Sequence, residues 1–468
     1  MTKEEKQYSK MTTYPTKKLV IALGLPTTIS MLVTAIYNIA DTLFVSRLGT
    51  SASGAVGVVF SLMAVVQAVG FTFGMGSSSL ISSKLGEKRD KEAQIYGSSA
   101  FYIAISIGLI ISIVTFSCLG PLMSLLGATT TVLPYAKSYA FYIAFGFPVM
   151  IGSFVLNNIL RSEGKAKLSM IGLTTGGILN IILDPIFIYQ LELGISGAAI
   201  ATLISQSISF IILLSMFIAK KSIIKLSIKD VSSELRVYGD IIKVGFPSLC
   251  RQGLASIATI FLNTQAGRYG GDPALSAMSI VSKVFMVIFS VSLGIGQGYQ
   301  PVCGYNYFAN RFDRVKEAMI FTFVCGTVIM TVSCVLFYVF AKNVMNFFIE
   351  DTAVIKIGTK ALRYQCISLP FLSLNVICNM SFQSTRQKIK ATILSACRQG
   401  LFFIPLIFIL PAILDINGNG ILGVELTQAA SDFLTFLFTI PFYIGFVREL
   451  NKKAKAQEEN KMQLYEYE

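Results

Sequence analysis

The chain has 468 residues, of which 53% are hydrophobic and only 14% charged, and its mean hydropathy is +0.66. That balance excludes a soluble globular protein, and the length excludes a single membrane anchor. The net charge of +14 raises nucleic acid as a partner, but the basic residues fall in short loops between apolar runs rather than on one continuous face, so no nucleic-acid partner is expected.

Crossing a bilayer takes about 20 apolar residues. The sequence begins with a polar stretch carrying Lys3, Lys6, Lys10, Lys17 and Lys18, with no apolar run ending in a small-residue cleavage site, so no cleaved signal peptide is expected. Apolar runs then predict helices at 19–45, 54–82, 94–118, 134–160, 167–190 and 196–218, and at 240–266, 273–302, 315–341, 355–384, 389–414 and 420–447. The longest interior polar stretch, Lys220 to Asp240, divides them six and six. The expected organisation is an N-terminal lobe over 1–218, an inter-lobe loop over 219–239, a C-terminal lobe over 240–447 and a tail over 448–468. Of 39 Lys and Arg, 29 lie on the side of the N-terminus and the inter-lobe loop and only 7 on the other. Both termini are therefore expected in the cytoplasm, where basic loops meet anionic lipid.

The two halves repeat one another. "IALGLP" with Pro26 matches "IKVGFP" with Pro247, and Arg47-Leu-Gly matches Arg268-Tyr-Gly, both at an offset of 221. Gly74, Gly76, Asn157 and Ser162 match Gly296, Gly298, Asn379 and Ser384 at 222, and the segment from Gly194 matches that from Gly420 at 226. Six spans bring the second copy into the membrane in the same orientation as the first. The expected fold is an all-α integral membrane protein of twelve transmembrane helices in two six-helix lobes, related by a pseudo-two-fold axis along the membrane normal, with a substrate path between them.

Two carboxylates break the apolar pattern. Asp41 and Asp184 lie inside predicted spans one and five, where an ionised acid costs at least ~2.5 kcal/mol. Their repeat positions hold Leu262 and Leu406. Tyr37 stands one turn before Asp41 and Asn180 one turn before Asp184, so each acid has a polar companion on its own helix face. Two carboxylates with amide and hydroxyl oxygens suit a hard cation such as Na+, or alternatively hold a proton between them. Asp41 placed near interfacial water, and Asp184 bonding backbone freed by Pro185, are the structural readings of the same residues. Pro26, after Gly24, is expected to bend the first span and to act as a hinge.

Other chemistry is scarce. Histidine and tryptophan are absent, the eight cysteines form no CxxC pair, and no GxSxG motif stands beside a base, so neither an enzyme nor a resident cofactor is expected. Nothing calls for an oligomer, and a monomer is expected.

Several segments together resemble the multidrug and toxic compound extrusion (MATE) family over nearly the whole chain. They are "GLPTTISMLVTAIYNIADTLFVSRLG", "KLGEKRDKEA", "LRSEGKAKLS", "GGILNIILDPIFIY" and "GISGAAIATLISQ". The resemblance implies a carrier of the bacterial inner membrane that exports organic, cationic and lipophilic compounds by alternating access, in exchange for Na+ or H+. It also implies an ion site in the N-terminal lobe at Asp41, Asn180, Asp184 and Thr202, with Tyr37, Tyr139 and Asn157 as neighbours. For Asn157, Asn180 and Thr202 ordinary interhelical hydrogen bonding is the competing reading, and for the two tyrosines simple packing.

The second lobe departs from its twin in charge. Arg251-Gln252, Lys283 and Arg398-Gln399 lie in predicted spans seven, eight and eleven, with only Glu425 and Asp432 in the last span to offset them. Either they form a buried network, or they line a substrate cavity and bind an anionic or zwitterionic compound. The latter suits an alternative function, export of such compounds or flipping of a lipid-linked saccharide.

Overall fold

The computed structural model describes residues 2–416 and 418–466, and among them every regular element is helical. A polar helix α1 (Lys3–Thr13) precedes α2 (Thr16–Ser46), α3 (Thr50–Gly86), α4 (Asp90–Ser117), the short α5 (Leu119–Leu125), α6 (Leu133–Ser162), α7 (Ala166–Pro185) and α8 (Gly194–Ile218). The second half runs through α9 (Leu235–Phe308), α10 (Phe312–Val339), the short α11 (Ala341–Phe348), α12 (Thr352–Ser384), α13 (Lys388–Ala396), α14 (Phe403–Asp415) and α15 (Gly420–Glu466).

Among the described residues, eleven helical stretches are long and apolar enough to cross a bilayer. One of them, α9, contains 74 residues, about 110 Å of helix at ~1.5 Å per residue, far more than one ~30 Å hydrocarbon core requires. Its backbone leaves helical geometry at Gly271 (φ 63°, ψ −160°), in the half of the map that glycine enters without a side-chain clash. Counted on either side of Gly271, α9 supplies two spans, and the twelve spans read from the sequence are present. The chain is a multi-pass, all-α membrane protein.

Two details depart from the simple run of spans. The fifth and eleventh are interrupted by π-helical turns, Ile186–Gln190 after α7 and Cys397–Phe402 between α13 and α14. The expected tail after 447 continues α15 as far as Glu466; its Lys, Glu and Gln run favours helix as well as water.

The chain divides into two compact units. Unit 1 contains the chain up to Tyr8 and Ala22–Leu249, and unit 2 contains Ser9–Ile21 and everything from Cys250. The segment expected as the inter-lobe loop, 219–239, belongs to unit 1 together with the first residues of α9.

Glu163 explains much of that attachment. Its carboxylate is fully buried and accepts the Ile223 and Ile224 backbone N–H groups at 2.9 Å each, the Ser222 hydroxyl, and Lys165 Nζ at 2.8 Å. Ser98 and Ser99 bind the next residues, donating to Lys225 O at 3.1 Å and accepting from Ser232 N at 2.9 Å. Close backbone contact holds the start of α9: a methyl added at Gly76 would lie 2.2 Å from Ile241 O, and one at Gly245 would lie 2.0 Å from Thr72 O. Glycine at both positions is what lets these two helices meet backbone to backbone.

The internal repeat survives to the level of single hydrogen bonds. The turn after α3 has Lys88 at φ 60° and closes with Arg89 N to Lys84 O at 2.8 Å; the turn after α9, 222 residues later, has Asn310 at φ 56° and closes with Arg311 N to Asn306 O at 2.8 Å. After α6 and α12 the same left-handed closure recurs at Gly164 and Arg386, again 222 apart. These are Schellman-type ends, which satisfy terminal carbonyls where a helix must stop.

Candidate functional site

Four helices of unit 1 supply the polar residues expected to act together. Tyr37 and Asp41 lie on α2, Tyr139 on α6, Asn180 and Asp184 at the end of α7, and Thr202 on α8. Pro185 ends α7 directly after Asp184, and the π turn that follows widens the helix at this level.

Asn180 is the bridge. Its Nδ2 donates to Asp184 Oδ1 at 3.0 Å and to Thr202 Oγ1 at 3.2 Å, joining α7 to α8. Asp184 is 0% exposed. The two carboxylates lie within electrostatic reach of one another, and the fully buried Tyr139 phenol lies within reach of both. Tyr37 faces Asp41, with Asn38 and Gln206 beside its hydroxyl. Gly177 makes that approach possible: a methyl there would fall 2.7 Å from Val33 Cγ1 and 3.1 Å from Tyr37 Cδ1.

The cluster is rich in oxygen that binds nothing. Asp41 Oδ1, Tyr139 Oη, Asn180 Oδ1, Asp184 Oδ2 and Ser205 Oγ are all buried without a hydrogen-bond partner. Each orphaned buried polar atom costs about 1–3 kcal/mol. Several on neighbouring helix faces fit a site built around something else: a hard cation accepts all-oxygen coordination, and a proton satisfies a pair of carboxylates.

Asn157 stands apart from this cluster. Its amide donates to Ser169 O at 3.2 Å and Ser169 Oγ at 2.5 Å, tying α6 to α7. Its repeat partner Asn379 makes the matching bond to Ala391 O at 2.7 Å. The same contact therefore joins neighbouring helices in both halves.

Ser205 and Gln206 were not singled out by sequence reading. The available signal is their spacing from Thr202, one helical turn along α8. Ser205 is one of several hydroxyls of unit 1 without a partner, with Thr28, Ser153 and Thr174. Thr27, Ser30, Thr34 and Thr72 each donate to the carbonyl four residues back, whereas Ser205, 0% exposed, donates to nothing.

In unit 2 the basic residues separate into two sets. Arg398 is buried and paired, its Nε donating to Asp432 Oδ1 at 2.7 Å, and Gln399 Nε2 reaches Gln428 Oε1 at 3.4 Å. Arg251, Gln252 and Lys283 are half-buried, and their side chains make no hydrogen bond or ion pair with the described residues.

Comparison with known proteins follows the same two halves. Residues 26–186 and 247–409 each match the MatE family model. The multidrug export protein MepA of Staphylococcus aureus (strain N315) is 27% identical over 405 residues, covering 86% of this chain and 89% of that protein. A solved outward-facing conformation of a multidrug resistance MATE family transporter of the MOP superfamily superposes with a TM-score of 0.89, at 25% identity, over 97% of this chain and 99% of the other. A MOP superfamily transporter from Pyrococcus furiosus, whose binding pocket is described as reversed in polarity and suggestive of a different function, gives 0.87 at 25% identity, over 97% and 99%.

Proposed function

Because the chain belongs to the MatE family of membrane transporters, we propose that it is a cation-coupled antiporter that exports organic, cationic and lipophilic compounds across a bacterial cell membrane, with both termini in the cytoplasm. The observation that carries this reading is the cluster of orphaned oxygens around Asp41 and Asp184. Buried acids at that depth are costly, and sequences retain them where a charge is bound and released.

In this account Na+ or H+ enters between α2 and α7 and neutralises the pair. Asn180, Thr202 and Tyr139 hold the carboxylates in register, and Tyr37 fixes the Asp41 side. Neutralisation removes the electrostatic cost of burying the site, so α2 is free to bend at Pro26 and the carrier to alternate its access. Thr27 and Ser30 hydroxyls donate to Leu23 O at 2.7 Å and Pro26 O at 3.0 Å, engaging carbonyls around the break that proline makes in the helix ladder. The coupling ion is cargo here, and each of the residues named acts by holding or releasing it.

The test is transport by purified protein in proteoliposomes, with a Na+ gradient and a pH gradient imposed separately. One of the two should drive ethidium out; export that ignores both would overturn the reading. A second reading, transport of anionic or zwitterionic compounds, draws on the half-buried Arg251 and Lys283 and on the reversed pocket polarity described for the Pyrococcus relative. Anionic dyes moved in preference to ethidium, with Arg251→Ala and Lys283→Ala abolishing that movement, would establish it.

A further inference from the structure

Unit 2 has leucines where unit 1 has its two acids, but it holds a polar cluster on the helix that corresponds to α8. At the repeat offset of 226, Gln428 on α15 takes the position of Thr202 on α8, and Asp432 that of Gln206. The last span of each half therefore turns the same helix face into a polar site. In unit 1 that face meets orphaned oxygens; in unit 2 it meets the guanidinium of Arg398.

The surroundings of that guanidinium form an acidic and aromatic box. Asp432, 1% exposed, accepts Arg398 Nε at 2.7 Å, Gln428 Nε2 at 2.9 Å and the Ser368 hydroxyl at 3.0 Å. The guanidinium carbon lies 4.9 Å from the centre of the Phe285 ring and 4.6 Å from that of Phe289. Those rings are stacked 6.0 Å apart with 14° between their planes. Aromatic faces beside a desolvated carboxylate are the chemistry that recognises organic cations.

Arg398 fits the box incompletely. A planar guanidinium placed for structure alone commonly grips a carboxylate with two parallel N–H bonds, yet here a single bond from Nε makes the pair. Nη2 is buried and has no partner. The residue sits in the π-helical turn Cys397–Phe402 rather than in regular helix, a distortion that recurs at functional sites. The box also has an open side: Arg398, Phe285 and Asp432 are buried, whereas Phe289, Gln399 and Gln428 are half-exposed.

We propose that Phe285, Phe289, Gln428 and Asp432 form an organic-cation subsite in unit 2, and that the Arg398 guanidinium is its tethered occupant, displaced when a cationic compound binds. This rests on the reading of the protein as an exporter of organic cations. Exchange of one cation for another keeps Asp432 neutralised throughout, so the buried carboxylate is never left uncompensated. Arg398 has a long flexible stem by which its head can withdraw toward the rim.

The prediction is a gain of affinity on removing a side chain. Ethidium binding to purified protein, followed by fluorescence, should tighten about tenfold or more in Arg398→Gln, since a site free one-tenth of the time binds with its affinity lowered by that fraction. Adding Phe289→Leu to that variant should reverse the gain. In unmodified protein, saturating ethidium should increase labelling of Arg398 by phenylglyoxal, read by peptide mass spectrometry, and this measurement stands even if the variant fails to fold. Unchanged or weakened binding in a folded Arg398→Gln protein, or labelling at Arg398 that does not rise, overturns the subsite while ethidium binding by the unmodified protein leaves the exporter reading intact. Failure of the unmodified protein to bind any organic cation overturns both.

Discussion

Gly177→Ala tests whether the packing of α7 on α2 sets the geometry at Asp41. The added methyl would lie 2.7 Å from Val33 Cγ1 and 3.1 Å from Tyr37 Cδ1, where carbon atoms prefer about 3.5–4.0 Å. The helices must therefore separate, or Tyr37 must turn, by roughly 1 Å. Overpacking of this kind costs about 1–3 kcal/mol, and the better helix propensity of alanine returns up to ~1 kcal/mol. The net loss of stability is then between nil and about 3 kcal/mol. The functional effect should be larger, because displacing a group that orients an ion ligand typically weakens ion affinity by about 10–100-fold. The assay compares the cation concentration that half-activates ethidium export with the melting temperature in detergent. Gly445→Ala, inside α15 where a methyl meets nothing within 4 Å, is the matched control: it should leave the half-activating concentration unchanged and, through helix propensity alone, raise the melting temperature slightly. If Gly177→Ala shifted the melting temperature yet left the half-activating concentration at the parental value, Tyr37 would have no part in setting the Asp41 site.

Ser205→Ala removes a buried hydroxyl without a partner, so the protein should become more stable by up to about 1–3 kcal/mol while the coupling cation binds some two- to tenfold more weakly; a scan of melting temperature with and without Na+ reads both, and lower stability would show that the hydroxyl is satisfied. Glu163→Ala leaves the Ile223 and Ile224 N–H groups and Lys165 without their buried acceptor, a loss of about 3–5 kcal/mol, and should expose residues 220–234 to protease; an unaltered digestion rate would mean that the segment is held by its other bonds. Pro26→Ala restores a backbone donor to α2 and should slow export at least tenfold or so if bending limits the cycle, measured as initial rate at saturating gradient; parental rates would remove Pro26 from the mechanism.

The span pattern was legible because a hydrocarbon core imposes a length on apolar runs, and the repeat was legible because residues such as Asn157 and Asn379 recur at one offset and do the same local work in both halves; Lys88 and Asn310 also correspond, but only their backbone shows it. Hydropathy alone hides where one helix passes into another. Nothing in the residues around Gly271 forecasts that α9 runs on across the break, nor do the apolar runs reveal the π turns at Ile186 and Cys397. Asp41 and Asp184 stood out because an acid in an apolar run is conspicuous, and the companions at helical spacing followed from them. Ser205 did not stand out, since serine is common in membrane helices; what marks it is an unpartnered hydroxyl one turn from Thr202, which a sequence does not display. The pairing of Arg398 with Asp432 joins residues 34 apart on different helices, which periodicity cannot forecast. Glu163 was invisible for a related reason: its worth lies in backbone N–H groups some 60 residues away.

The most direct measurement is gradient-driven extrusion of ethidium from proteoliposomes by the Asp41→Asn/Asp184→Asn double variant, normalised to inserted protein. The account predicts a rate no higher than that of protein-free vesicles. Extrusion at the parental rate, still responding to the imposed ion gradient, contradicts it.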